Sequence, residues 1–129
     1  IKSTTLSVQI LTSTMKPKII AACEAFSLGQ SAKALPHIAD EAEWHIVGDH
    51  IIVGKAGIEN TCAEAEAEGN PNFKNVRTIE GKFHVVVEGN DLDSDIHYCD
   101  IYTIEEDTIH EITSYCLARQ EAEFEDEAE

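Results

Sequence analysis

A carboxylate interrupts an otherwise strand-forming run: Asp100 in Ile96-His97-Tyr98-Cys99-Asp100-Ile101-Tyr102-Thr103-Ile104. A strand alternates its faces, so Ile96, Tyr98, Asp100 and Tyr102 share one side and His97 falls on the other. If the Asp100 side is concave, the carboxyl is desolvated and its pKa rises, which suits proton transfer or hydrogen-bond donation. If that side faces outward, Asp100 is simply hydrated, and alternation alone does not choose between the two.

The remaining chemistry-bearing residues form no motif. Cys23, Cys62, Cys99 and Cys116 are spaced too widely for a zinc ribbon, a redox dithiol or a disulfide scaffold, and read as reduced core thiols. The histidines His37, His45, His50, His84, His97 and His110 include no HExxH or HxH, so neither a metal nor a cofactor is expected. Most of them belong on the surface or the rim. Asp91-Leu92-Asp93-Ser94-Asp95 begins like a calcium loop, but Ile96 stands where that loop needs glycine and Tyr102 where it needs a bidentate glutamate, leaving a solvated hairpin loop. The segment from Gly54 to Gly57 lacks the spacing of a phosphate-binding loop.

The elements that must position Asp100 follow from periodicity and punctuation. Thr14 can cap a helix with Pro17 in its first turn, carrying Ile19, Ile20, Cys23 and Phe26 on one stripe and ending at Gly29. A shorter helical segment over 31–39 precedes a strand over 43–47, and Gly48-Asp49 turns the chain into Ile51-Ile52-Val53. Lys55 to Glu68 is rich in alanine and glutamate, with Ile58, Cys62 and Ala65 aligned, and Gly69-Asn70-Pro71 stops it. Then the period changes to two: strands are predicted over 76–79, 83–87, 96–104 and 109–117. Helices first and an antiparallel meander last make an α+β domain.

Composition bounds the rest. The 129 residues suit one domain, taken as residues 15–118, with residues 1–14 as an extension and 119–129 as an acidic tail. With 43% hydrophobic and 26% charged residues and no long apolar run, the expectation is a soluble, cytoplasmic protein. The formal charge of −16 repels phosphate backbones and anionic lipid, so neither nucleic acid nor membrane is an expected partner. Six acids in the last nine residues (Glu121, Glu123, Glu125, Asp126, Glu127, Glu129) mark a solvated end.

The order helix, "AFSLGQ", short helix, "ADEAEWHIVG", "IIVGKAGI", helix, then "CDIYTIEEDTIHEITSYC" resembles the SnoaL-like polyketide cyclase and ketosteroid-isomerase-like branch of the nuclear transport factor 2-like superfamily. The resemblance covers roughly residues 15–118. It implies a cone, or cystatin-like α+β barrel: a curved antiparallel sheet wrapped around about three helices, a hollow for small apolar molecules, and homodimers formed through the outer sheet face. It also implies that Asp100 occupies the place of the isomerases' protonated oxyanion-hole aspartate, near the cyclases' acid/base aspartate. Three departures accompany this match. Ala22 stands near the isomerase tyrosine, Ile46 near the isomerase base, and Ser114 where limonene epoxide hydrolases carry an aspartate.

With Asp100 turned to the hollow, alternation and the family's wall order place Trp44, Ile46, Tyr98, Tyr102, His110, Ile112, Ser114 and Cys116 around it. For Trp44 and the two tyrosines simple core packing is the plainer reading, because large aromatics dominate the buried area of a small domain. The resulting expectation is a protein binding a small neutral lipophilic molecule, with Asp100 as acid or base in an isomerisation or cyclisation. Its alternative is a non-catalytic binding or dimeric assembly module with the hollow partly filled, for instance by Trp44, Phe83 and Tyr98.

Overall fold

A computed structural model describes residues 15–69 and 71–118. Thr14, Asn70, the N-terminal extension and the acidic tail lie outside the described residues. Helix α1 (Pro17–Ser27) has Lys16 at its N-cap and proline in its first turn, where the missing N–H costs nothing. It ends in a Schellman arrangement: the Gly29 N–H donates to the Phe26 carbonyl and the Gln30 N–H to that of Ala25, with Gly29 at φ +84°. That stop leaves Ser27 in the last turn, four residues after Cys23 on the buried stripe.

Helix α2 (Ser31–Ala34) passes into a 3-10 turn (Leu35–His37). Strand β1 (Ile38–Ile46) therefore begins well before the expected strand start, because Pro36 ends the helical run and Ile38 and Ala42 already face the core. Strand β2 (Ile51–Val53) and helix α3 (Lys55–Ala67) follow, then β3 (Phe73–Glu80), β4 (His84–Asp91), β5 (His97–Glu105) and β6 (Thr108–Leu117). The six strands form one open, curved sheet ordered β2-β1-β6-β5-β4-β3. The barrel is thus unclosed, and β1 against β6 is a parallel pair in an otherwise antiparallel sheet.

Irregularities in register bend this sheet. They fall between Ile38 and Glu43 in β1, Asn75 and Arg77 in β3, and Thr103 and Ile104 in β5. Gly89 supplies a further close approach: a Cβ there would collide with the Lys74 carbonyl and the Tyr98 ring. The β5–β6 hairpin turns on Glu106 and Asp107, both with positive φ, as a two-residue hairpin loop of matching twist requires.

The concave side carries the core: Ile19, Cys23, Ile58, Val85, Val87, Tyr102, Ile109 and Ile112 are fully enclosed. Each aliphatic side chain among the larger ones contributes about 1.5–3 kcal/mol by leaving water. Only Cys23 of the four cysteines is a core thiol; Cys62 and Cys99 are half-buried and Cys116 is exposed, and all four are free. The 91–95 loop satisfies itself, the Asp91 carboxylate accepting from the Asp93 N–H and the Ser94 hydroxyl. Among the described residues no helix is long and apolar enough to cross a membrane.

Candidate functional site

Asp100 belongs to the concave face. It lies mid-strand in β5, opposite Val87 on β4 and Ser114 on β6, and is 7% exposed. The helix end described above brings Ser27 over it, and the Ser27 hydroxyl donates to Asp100 Oδ2 at 2.7 Å. Since that proton is used, the Tyr102 hydroxyl donates to Ser27 Oγ, 2.6 Å away. On the other side the Trp44 indole N–H donates to Ser114 Oγ at 2.9 Å, leaving the Ser114 proton free to turn to the carboxylate. Burial pushes the Asp100 carboxyl above the ordinary aspartate value, against the hydrogen bonds from Ser114 and Ser27, which favour the charged form.

Both neighbouring tyrosines are committed. Tyr102 is fully buried beneath Asp100, and burial together with the nearby carboxylate holds its hydroxyl well above the usual tyrosine range. Tyr98 donates its proton to Asn75 Oδ1 at 2.8 Å, and burial, then the Asp100 charge, push it up to about 12. Neither tyrosine is therefore a ready donor toward a carbonyl in the hollow.

A cavity of about 280 Å³ opens above Asp100 between the sheet, the end of α1 and α3. Phe26, Trp44, Ile46, Phe73 and Tyr98 supply its apolar wall, and Phe26 meets Trp44 edge-on with ring centroids 5.0 Å apart. At the α3 side the Ser31 hydroxyl donates to Glu66 Oε2 at 2.7 Å. Beside this pair the Cys62 thiol is pushed up, chiefly by burial, with Ser31 opposing and Glu66 adding to the rise. It is thus a poor nucleophile.

Of the residues expected around Asp100, Trp44, Ile46, Tyr98, Ser114 and Cys116 line the cavity with it. Tyr102 and Ile112 lie deeper, as fully buried core. His110 is a correction: the register shift beside Ile104 turns Ile109 inward instead, and His110 Nδ1 faces Glu41 Oε1 at 3.4 Å on the outside. Strict alternation fails wherever a strand bulges. Ser27 and Phe73 were not expected at the site, and Phe26 was expected only on the apolar stripe of α1; Ser27 carried a signal of its own, its i+4 spacing from Cys23 on that stripe.

The chain is 31% identical to an NTF2-like protein of unknown function from Cytophaga hutchinsonii, with a TM-score of 0.70, the match covering 80% of this chain and 99% of that one. The chain belongs to the NTF2-like family. Two more distant structures share the NTF2-like fold. A SnoaL-like protein of unknown function from Burkholderia thailandensis is 12% identical with a TM-score of 0.66, over 82% of this chain and 100% of that one. A protein with a ketosteroid isomerase-like fold from Catenulispora acidiphila, solved in complex with trimethylamine, is 15% identical with a TM-score of 0.59, over 78% and 86% of the two chains. No family model matches the chain, and no curated protein matches it. The NTF2-like assignment fixes the architecture and leaves the chemistry to the residues.

Proposed function

We propose that this NTF2-like protein binds a small, neutral, largely apolar molecule in the cavity and that Asp100 acts on it as acid or base, moving a proton next to a carbonyl in an isomerisation or cyclisation. One observation carries the reading: a desolvated carboxyl at the floor of an apolar cavity, with the adjacent tyrosine hydroxyls turned to other acceptors. A single well-placed acid or base supplies about 10² to 10⁴ in rate. The departures at Ala22 and Ile46 that the resemblance implies point away from a complete steroid-isomerase set, so in this reading Asp100 works without those partners.

The test is proton exchange. Neutral polycyclic and terpenoid ketones are incubated with the protein in heavy water, deuterium incorporation α to the carbonyl is followed by NMR, and binding is followed through Trp44 fluorescence. Incorporation that disappears in Asp100→Asn, while the fold and ligand binding persist, supports the catalytic reading. Binding without incorporation leaves a binding module with Asp100 as anchor, and neither binding nor incorporation sinks both.

An assembly role rests on a different feature. The convex residues Ile79, Val86 and Ile101 are registered neighbours across β3, β4 and β5, and Ile79 is 47% exposed. This apolar row suits a homodimer through the outer sheet face. It does not require a filled hollow, since Phe83 is exposed rather than inside. Light scattering on the protein and on Ile101→Lys checks it: a dimer that becomes a monomer supports the face, and an unchanged mass removes it.

A further inference from the structure

We propose that Glu43, His45 and Glu111 form a binding site for one divalent transition-metal ion on the convex face, separate from the Asp100 cavity. Glu43 and His45 are two residues apart on β1 and so share a face, and Glu111 lies directly opposite Glu43 in the parallel β1–β6 pair. The His45 Nε2 atom is 2.9 Å from Glu43 Oε1 and 3.1 Å from Glu111 Oε2. All three ligand atoms fall within 4.8 Å of one another. An ion held at about 2.0–2.2 Å by nitrogen and oxygen ligands keeps neighbouring ligand atoms roughly 3 Å apart, which is the spacing His45 Nε2 already has to each of the two carboxylates.

Electrostatics gives the cluster its reason. Like charges directly opposite in a ladder destabilise it, yet Glu43 faces Glu111, and their registered neighbours Val53, Ile51, Thr103 and Thr113 carry no compensating base. A neutral imidazole offers one Nε2 proton to two carboxylates, and an imidazolium cancels only one of two negative charges. A divalent ion with neutral His45 cancels both and occupies the point where the three atoms converge. His45 and the glutamates are partly shielded, with side chains 30%, 47% and 42% exposed for His45, Glu43 and Glu111, so coordination leaves at least one position open to water or a further ligand. One imidazole with two carboxylates suits Zn²⁺, Co²⁺, Mn²⁺ or Fe²⁺ rather than a soft thiophilic ion. His110 and Glu41, 3.4 Å apart on the same two strands, form a neighbouring pair that serves as a control.

Titration of the full, metal-stripped chain with Co²⁺, read by visible absorption, and with Zn²⁺, read by calorimetry, tests the site. The expected result is one equivalent bound tightly, with ligand-field bands and affinity reduced at least about tenfold in His45→Ala and, separately, in Glu111→Gln. His110→Ala and Asp100→Asn should leave both readouts unchanged. Circular dichroism confirms that each variant is folded, and Glu111→Gln keeps the test open should His45→Ala unfold. Binding of equal strength in wild type and both ligand variants would place the ion elsewhere, for instance on the acidic C-terminal residues, and overturn the proposal. So would the absence of a one-equivalent complex.

Discussion

The two faces of the same strands treat carboxylates in opposite ways. On β5 the inward residues Tyr98, Asp100, Tyr102 and Ile104 alternate with the outward Cys99, Ile101 and Thr103. Inward, one acid is enclosed with hydroxyl donors and without a base, and its proton is held more firmly than in water. Outward, acids are numerous, stay in contact with water and find nitrogen partners, as Glu88 does with the Arg77 guanidinium and Glu43 and Glu111 do with the His45 imidazole. Solvent access, more than residue type, decides which carboxylate is available for proton chemistry.

Truncation on each face should break this contrast most visibly. Tyr102→Ala removes a fully buried ring and the hydroxyl that donates to Ser27, and should cost about 3–5 kcal/mol in chemical denaturation. Ile79→Ala, on the exposed side, should stay within about 0.5 kcal/mol when measured on the monomer. Equal losses would mean that the concave side is not the core.

Gly89→Ala is next. Its Cβ would meet the Lys74 carbonyl and the Tyr98 ring, so the expected loss is about 1–3 kcal/mol, together with weaker binding of any cavity ligand as Tyr98 shifts. A variant with wild-type stability and Tyr98 environment, read by NMR, would contradict the close packing of β4 on β5.

The pH dependence sharpens the inward side. Because folding raises the Asp100 pKa, the folded chain binds that proton more tightly than the unfolded chain does. The cost of burying the carboxyl is therefore absent below the ordinary aspartate value of 3.8, develops as pH rises above it, and is complete once pH has passed through the raised folded value. Asp100→Asn removes this dependence, so its stability relative to wild type should climb from acid to neutral pH, by about 1.4 kcal/mol for each pKa unit separating the folded and unfolded states. Parallel stability curves for the two proteins would argue against a desolvated carboxyl. The smallest effect belongs to the outward ion pair: Arg77→Ala, losing a contact to Glu88 at an exposed arginine, should change stability by no more than about 1 kcal/mol.

Much of this architecture was legible in the chain. Pro17 and Gly29 bracket α1, Ile51-Ile52-Val53 is a strand as read, and the alternation around Asp100 grouped it with Tyr98 and Tyr102. The parallel β1–β6 pairing was not legible, because it joins segments some 70 residues apart and no local pattern encodes which strands meet. His110 was misplaced for a local reason, a bulge that breaks the two-residue period. Ser27 reached Asp100 across 73 residues, and the Glu43, His45 and Glu111 cluster likewise forms only when β6 docks on β1. Spacing within one strand could not announce either.

The central claim is that Asp100 is a desolvated acid in contact with the ligand, and carbon-13 NMR of its carboxyl carbon tests it most directly. Titration of the free protein should show a pKa above 3.8, and a bound neutral ketone should shift both the resonance and its titration. A carboxyl that titrates at or below that value and ignores every ligand that fills the cavity would contradict the account.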